Sequence, residues 1–159
     1  MKRGNPSGSG ESKVSSGKVG KHILVIEDEQ NSREGLRQWL LADGHQVVTA
    51  RDGWDALRVI KSQRLDVAVV DLDLPPVMGV TLSGWDLVRI LRAYDDRVAV
   101  LVVSAEDWRT VRPQLEAFRV DGFLGKPIRL TLLRDMIRAL GGASGPAARV
   151  GAVTECLPH

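Results

Sequence analysis

The sequence predicts an α/β protein: a doubly wound, five-stranded parallel sheet with helices on both faces, a three-layer sandwich. Two observations predict it. Five short apolar runs alternate with five stretches of helical periodicity. The runs are nearly continuous in apolar residues, as strands buried on both faces are. Right-handed crossovers between such strands then distribute the helices over both sides.

The elements follow in order. His22–Ile26 is a short apolar strand that ends in Glu27-Asp28-Glu29. Asn31-Ser32 supplies a cap for a helix with Leu36, Trp39, Leu40 and Leu41, and Asp43-Gly44 stops it. Gln46–Ala50 is the second strand. Asp52-Gly53 opens a helix with Ala56, Leu57 and Ile60 on one face. Leu65–Asp71 is the third strand. Trp85–Leu91 is helical, with Leu87, Val88 and Leu91 inward. Val98–Val103 is the most apolar strand. Pro113 belongs near the start of a helix, which carries Leu115 and Phe118. Phe123-Leu124 is a short fifth strand, and Leu130–Leu140 is the last helix.

A chain of 159 residues, 43% hydrophobic, makes one domain with a real core. Residues 1–20 form a basic Gly/Ser-rich segment with too little apolar surface to order itself. Residues 21–142 are the domain, and 143–159 read as a flexible C-terminal tail. The net charge of +2 gives no strong polyanion signal. A single cysteine, Cys156, excludes an internal disulfide framework. No secretory leader or membrane segment is present, so a cytoplasmic protein is expected. His22, His45 and His159 lack ligand spacing and receive no role.

In doubly wound folds ligands sit beyond the carboxyl ends of the strands. Those ends carry Glu27 and Asp28, then Asp71, then Ser104, then Lys126. Each has a bland reading taken alone: a helix-terminal charge cluster, a turn residue, a cap, a solvated lysine. Their joint placement on one rim points to one site. If the first strand lies beside the third, three carboxylates meet and repel, and a cation or a raised pKa must relieve them. Mg²⁺ suits such a set because it keeps positions free for phosphate oxygens. Asp71 can then be the nucleophile that forms an aspartyl phosphate, with Mg²⁺, Lys126 and Ser104 around the phosphoryl oxygens. Asp71-Leu72-Asp73 also fits a second chemistry, a phosphatase of the haloacid dehalogenase type. That reading is disfavoured because the motif ends the third strand and Pro75-Pro76 follows it.

The segments Ile23–Glu29, Val69–Pro75, Val102–Ala105 and Gly122–Pro127 together resemble the receiver domain of two-component response regulators, the family of the chemotaxis response regulator. The resemblance covers roughly residues 21 to 141. It implies a flavodoxin-like strand order, 2-1-3-4-5, and a signalling switch in place of a turnover enzyme. It implies that Asp71 is the phosphoacceptor, that Glu27 and Asp28 bind Mg²⁺, and that the backbone carbonyl of Asp73 is a further metal ligand. Ser104 matches the switch hydroxyl, Lys126 the family lysine, and Phe123 the aromatic whose ring turns inward. Asp73 and Glu106 occupy the variable positions that tune phosphoryl lifetime. The implied partners are a sensor histidine kinase or histidine phosphotransfer protein and an unknown output protein met at the helix 4–strand 5–helix 5 face. A phosphorylation-dependent dimer is among the expected assemblies.

The family pattern is broken after the acceptor. Both Pro75 to Gly79 and Ser83-Gly84-Trp85 fit the start of the third helix, so a short insert lies near residues 77–84 and spacing alone does not place it. Trp108 follows the fourth strand in a polar context. It is either a partner anchor or a lid folded over the fourth helix. With no helix-turn-helix after Gly141 and a Met at position 1, the expected protein is a stand-alone receiver without a DNA-binding domain. The alternatives are a receiver-like module that is never phosphorylated and a fragment of a larger effector.

Overall fold

The register of β1 (His22–Ile26) organises the molecule, because both of its edges are occupied. It pairs in parallel with β2 (Gln46–Ala50) on one side and β3 (Val67–Asp71) on the other. β4 (Ala99–Ser104) then pairs with β3, and β5 (Gly122–Gly125) with β4, all parallel, in the order β2-β1-β3-β4-β5. The five helices are α1 (Gln30–Ala42), α2 (Gly53–Ser62), α3 (Gly84–Tyr94), α4 (Trp108–Ala117) and α5 (Leu130–Ala139). This computed structural model describes residues 20–140. The two segments expected to be tails, apart from Gly20, and Cys156 lie outside the described residues. Among the described residues no helix is long and apolar enough to cross a membrane.

Alternation along each strand makes two cores. Ile23, Val25, Val67, Val69, Leu101, Val103 and Leu124 pack with Leu36 and Leu40 of α1 and Leu133 and Ile137 of α5. Leu24, Ile26, Ala68, Val70, Val100, Val102 and Phe123 face the other way, onto α2, α3 and α4. All five residues of β3 are buried. The continuous apolar run is thus a central strand covered on both faces, as its pattern predicts.

Local chemistry corrects three expectations. The cap of α1 is Glu29, whose carboxylate accepts from the N–H groups of Asn31 (3.0 Å) and Ser32 (2.6 Å). Asn31 and Ser32 are therefore capped, not capping, because an anion is the stronger acceptor at a helix N-terminus. Pro113 lies in the interior of α4, not at its start. It withholds the N–H that would have bonded the Arg109 carbonyl, while buried Val111 and Leu115 hold the helix against the sheet on either side. Phe118 is the residue just past the end of α4 and stacks at a tilt on Trp85, centroids 5.6 Å apart. Trp108 folds back: it is half-buried against the core, with the Arg112 guanidinium 5.5 Å from its ring.

The structure also places the insert. α3 begins at Gly84, with Ser83 and Asp86 forming a reciprocal capping box. Upstream, Val77 and Val80 exchange backbone hydrogen bonds of 2.9 and 3.0 Å around Met78 (φ 51°) and Gly79 (φ 78°). Two positive φ values in a two-residue loop mark a type I′ hairpin turn, so Gly79 belongs to a small hairpin and not to the helix. Met78 at its tip is 98% exposed.

Gly84 has no room for a side chain. A Cβ there would lie 2.4 Å from the Asp71 carbonyl oxygen and 2.6 Å from Leu72 Cα, both backbone atoms of the central strand end. Gly84→Ala is therefore expected to lower unfolding free energy by about 1–3 kcal/mol. Gly35→Ala, in α1 with nothing within 4 Å of the new methyl, is expected to raise it by about 0.5–1 kcal/mol. Urea unfolding of the two variants checks both signs.

Candidate functional site

Strand register brings the site residues together. Ile26 pairs with Val70, so Glu27 and Asp71 each lie one residue beyond that pair on adjacent strands. Asp71 pairs with Val103, and Ser104 follows it. Ser104 pairs with Gly125, and Lys126 follows that. The condition set by the sequence, that the first strand lie beside the third, is met.

The carboxylate of Asp71 is the centre. It is 1% exposed and fully held: Oδ2 accepts from Lys126 Nζ at 2.7 Å, and Oδ1 accepts from the Asp73 N–H at 2.9 Å. Glu27, Asp28 and Asp71 each offer a carboxylate oxygen, and these atoms lie within 4.8 Å of one another. Glu27 is buried and Asp28 exposed, so the cluster is open on one side. Burial, and then the hydrogen bond and charge of Asp71, push the Glu27 carboxyl up to about 7. Burial works against the Lys126 ammonium, but its hydrogen bond to Asp71 and the surrounding carboxylates outweigh this and raise its pKa. One ammonium against three carboxylates leaves excess negative charge in a confined space. Clustered hard oxygen donors with an open side are what a divalent cation such as Mg²⁺ takes.

The remaining residues are placed as follows. Ser104 is completely buried, and its Oγ accepts from the Glu106 N–H at 3.0 Å. The Lys126 N–H donates to the Ser104 carbonyl at 2.9 Å, tying the ends of β4 and β5. The Lys126–Pro127 peptide is cis. Asp73 and Glu106 expose their side chains on the rim. Asp73 is not part of the carboxylate cluster; its contribution to the site geometry is its backbone N–H. Phe123 is 9% exposed and lies in the core beneath α4, so its ring is already inward. Sequence reasoning overlooked Arg33, whose guanidinium donates to the carbonyls of Glu27 (3.0 Å) and Asp28 (3.1 Å). The signal was an arginine one turn into the helix that follows the acidic pair.

Fold and site together define a receiver-type α/β domain with an acidic pocket at the carboxyl end of its sheet. The family model for the response regulator receiver domain matches residues 23–138, and the chain belongs to that family, the receivers of two-component systems. It is 36% identical over 118 residues to the response regulator MprA of Mycolicibacterium vanbaalenii, covering 74% of this chain and 49% of that protein. The chain thus spans about half the length of the curated relatives it matches. Among solved structures, the chemotaxis response regulator CheY4 of Vibrio cholerae shares the fold, with a TM-score of 0.68 at 22% identity over 77% of this chain and 99% of that one. The response regulator TrrA of Thermotoga maritima, solved in complex with Mg²⁺–BeF, matches with a TM-score of 0.65 at 27% identity over 76% of this chain and 98% of that one.

The Lys126–Asp71 contact generates a test in the protein free of added metal. Lys126→Met is expected to destabilise the fold, because Asp71 and Glu27 lose their ammonium. The same change in an Asp71→Asn background is expected to cost less, with a coupling of about 1–3 kcal/mol in a double-mutant cycle. Unfolding of the four proteins in EDTA measures it.

Proposed function

We propose that the chain is a phosphoryl-accepting switch in which Asp71 is the nucleophile. The observation that carries this reading is a buried carboxylate that shares a rim with two further carboxylates, a lysine and a serine. Asp71 attacks the phosphorus of a phosphohistidine on a sensor histidine kinase or histidine phosphotransfer protein. The P–N bond breaks as the P–O bond to Asp71 forms, and the electron pair and a proton stay with the imidazole. With acetyl phosphate the leaving group is acetate.

The residues divide this work. The Asp73 N–H fixes the orientation of the Asp71 carboxylate. Lys126, already on Asp71, transfers its hydrogen bond to a phosphoryl oxygen as charge shifts outward. Glu27, Asp28 and Asp71 would hold the cation, with the Asp73 carbonyl as the further ligand that the family resemblance implies. Mg²⁺ bound there supplies the charge that neutralises the phosphoryl oxygens; the Mg²⁺–BeF complex of the TrrA relative supports this. Ser104 donates the third contact. Its hydroxyl already accepts from the Glu106 N–H, and its own proton is the one to give.

The same contact is the output. The phosphoryl group adds about −1.5 to −2 charge, which draws the Ser104 hydroxyl and with it the Glu106 backbone at the entry to α4. Phe123 is inward beforehand, so the shape change at the α4–β5–α5 face starts in the β4–α4 loop and Phe123 packs against it. The free energy of the phosphate contacts biases a two-state equilibrium. The curated relatives carry about as much chain again as the matched part, so the reading is confined to the receiver itself.

Incubation with Mg²⁺ and acetyl phosphate followed by intact mass is the test. Wild type is expected to gain one phosphoryl group and Asp71→Asn none; a wild type that gains nothing points to the non-phosphorylated binding module. The exposed carboxylate of Asp73 flanks the acceptor. Asp73→Asn is expected to keep the adduct but change its decay rate, followed by mass after the donor is removed.

A further inference from the structure

We propose that Arg33 is a positioning residue for the acidic pocket: it holds the turn between β1 and α1 in the one conformation that turns both Glu27 and Asp28 toward Asp71. This rests on the metal reading of that pocket. The geometric problem is that Glu27 and Asp28 are consecutive. Consecutive side chains of an extended chain point to opposite sides, yet both carboxylates reach the Asp71 oxygens. The chain solves this with a bend at Asp28-Glu29, one residue past the end of β1. The Glu27 and Asp28 carbonyls lead into this bend. Arg33 gathers them, with one guanidinium nitrogen donating to the Glu27 carbonyl at 3.0 Å and the Asp28 carbonyl at 3.1 Å. Its own backbone N–H donates to the Glu29 carbonyl at 2.9 Å, so the same residue closes the first turn of α1.

Electrostatics alone argues against an arginine here. A cation in the first turn opposes the helix dipole, and a cation beside a cation site repels the ion. Glu29 and Glu34 offset part of this charge, and both carboxyls lie below their usual range, chiefly through hydrogen bonds to Ser32 and Gln38 and with a smaller part from Arg33. What remains in favour of Arg33 is the pair of hydrogen bonds to the bend. Outer contacts that orient metal ligands are worth about 10–100-fold in metal affinity.

The sign of one variant separates positioning from a bystander charge. Mg²⁺ is titrated calorimetrically into the full chain in the absence of any phosphoryl donor. Arg33→Met keeps the stem and removes both charge and donors. Positioning predicts about tenfold weaker Mg²⁺ binding, with thermal unfolding in EDTA close to wild type. It also predicts that acetyl phosphate labelling at saturating Mg²⁺ returns toward the wild-type rate. A bystander charge predicts binding as tight as wild type or tighter, and that result overturns the proposal. Arg33→Lys keeps the charge and a single donor nitrogen like the one that makes both bonds, and is expected to retain most of the affinity. Should Arg33→Met fail to fold, Mg²⁺ binding as tight as wild type or tighter in Arg33→Gln, which removes the charge and shortens the donor's reach, overturns the proposal instead. Asp28→Asn distinguishes the levels: if wild type and Asp28→Asn show the same titration, the metal reading of the pocket falls and this inference with it.

Discussion

A single buried carboxylate governs the architecture of this receiver. Asp71 ends a strand whose four preceding residues are at most 2% exposed, and it is itself 1% exposed. Burying an anion is costly unless it is paired and hydrogen-bonded, and the surroundings are arranged around that cost. Lys126 reaches it from the end of β5, the Asp73 N–H from the loop that follows, and Glu27 lies beside it at the end of β1. Three of the five strands therefore converge on one side chain. Glu27 is pushed up to about 7, first by its burial and then by Asp71 beside it.

The helix α3 connects this rim to the opposite end of the sheet. Its first residue, Gly84, lies against the Asp71 carbonyl. Near its end, Arg92 is the counterpart of Lys126. Its guanidinium donates to the carbonyls of Phe118, Val98 and Arg119 and pairs with Asp121 at 3.0 Å, with both side chains nearly buried. Asp121 also accepts from the Val100 N–H. The lower end of the α4–β5 segment is thereby fastened to α3 and β4. Its upper end depends on Ser104 and Lys126, the groups that a phosphoryl group on Asp71 engages in the proposed switch. A segment pinned at one end and governed at the other suits a change of shape on one face without loss of the fold.

Much of this was legible in the residues. Five apolar runs marked five strands, and the polar residues that terminate them marked the rim. The misreadings share a cause. Spacing offered Gly79 and Gly84 equally as the start of α3; the Ser83–Asp86 capping box, the hairpin that takes up Gly79 and the close approach of Gly84 to the Asp71 backbone select Gly84. The local rule for proline placed Pro113 at a helix start, yet packing of Val111 and Leu115 carries the helix through it. Asn31 and Ser32 are good capping residues, but Glu29 stands one turn earlier with a stronger acceptor. The inward ring of Phe123 is a matter of the packing beneath α4, which a four-residue edge strand does not announce.

The sequence by itself determined which segments are strands, which are helices, and which polar residues sit at strand ends, because hydrophobic period and capping act over a few neighbours. The tertiary structure alone decided what those polar residues are to one another. Glu27 and Asp71 are side by side because β1 and β3 pair across two intervening helices and a strand, and Lys126 meets Asp71 from 55 residues away. Exposure, charge coupling and the reach of Arg92 to Phe118, Arg119 and Asp121 arise from register and packing between segments distant in the chain, where local periodicity carries no information.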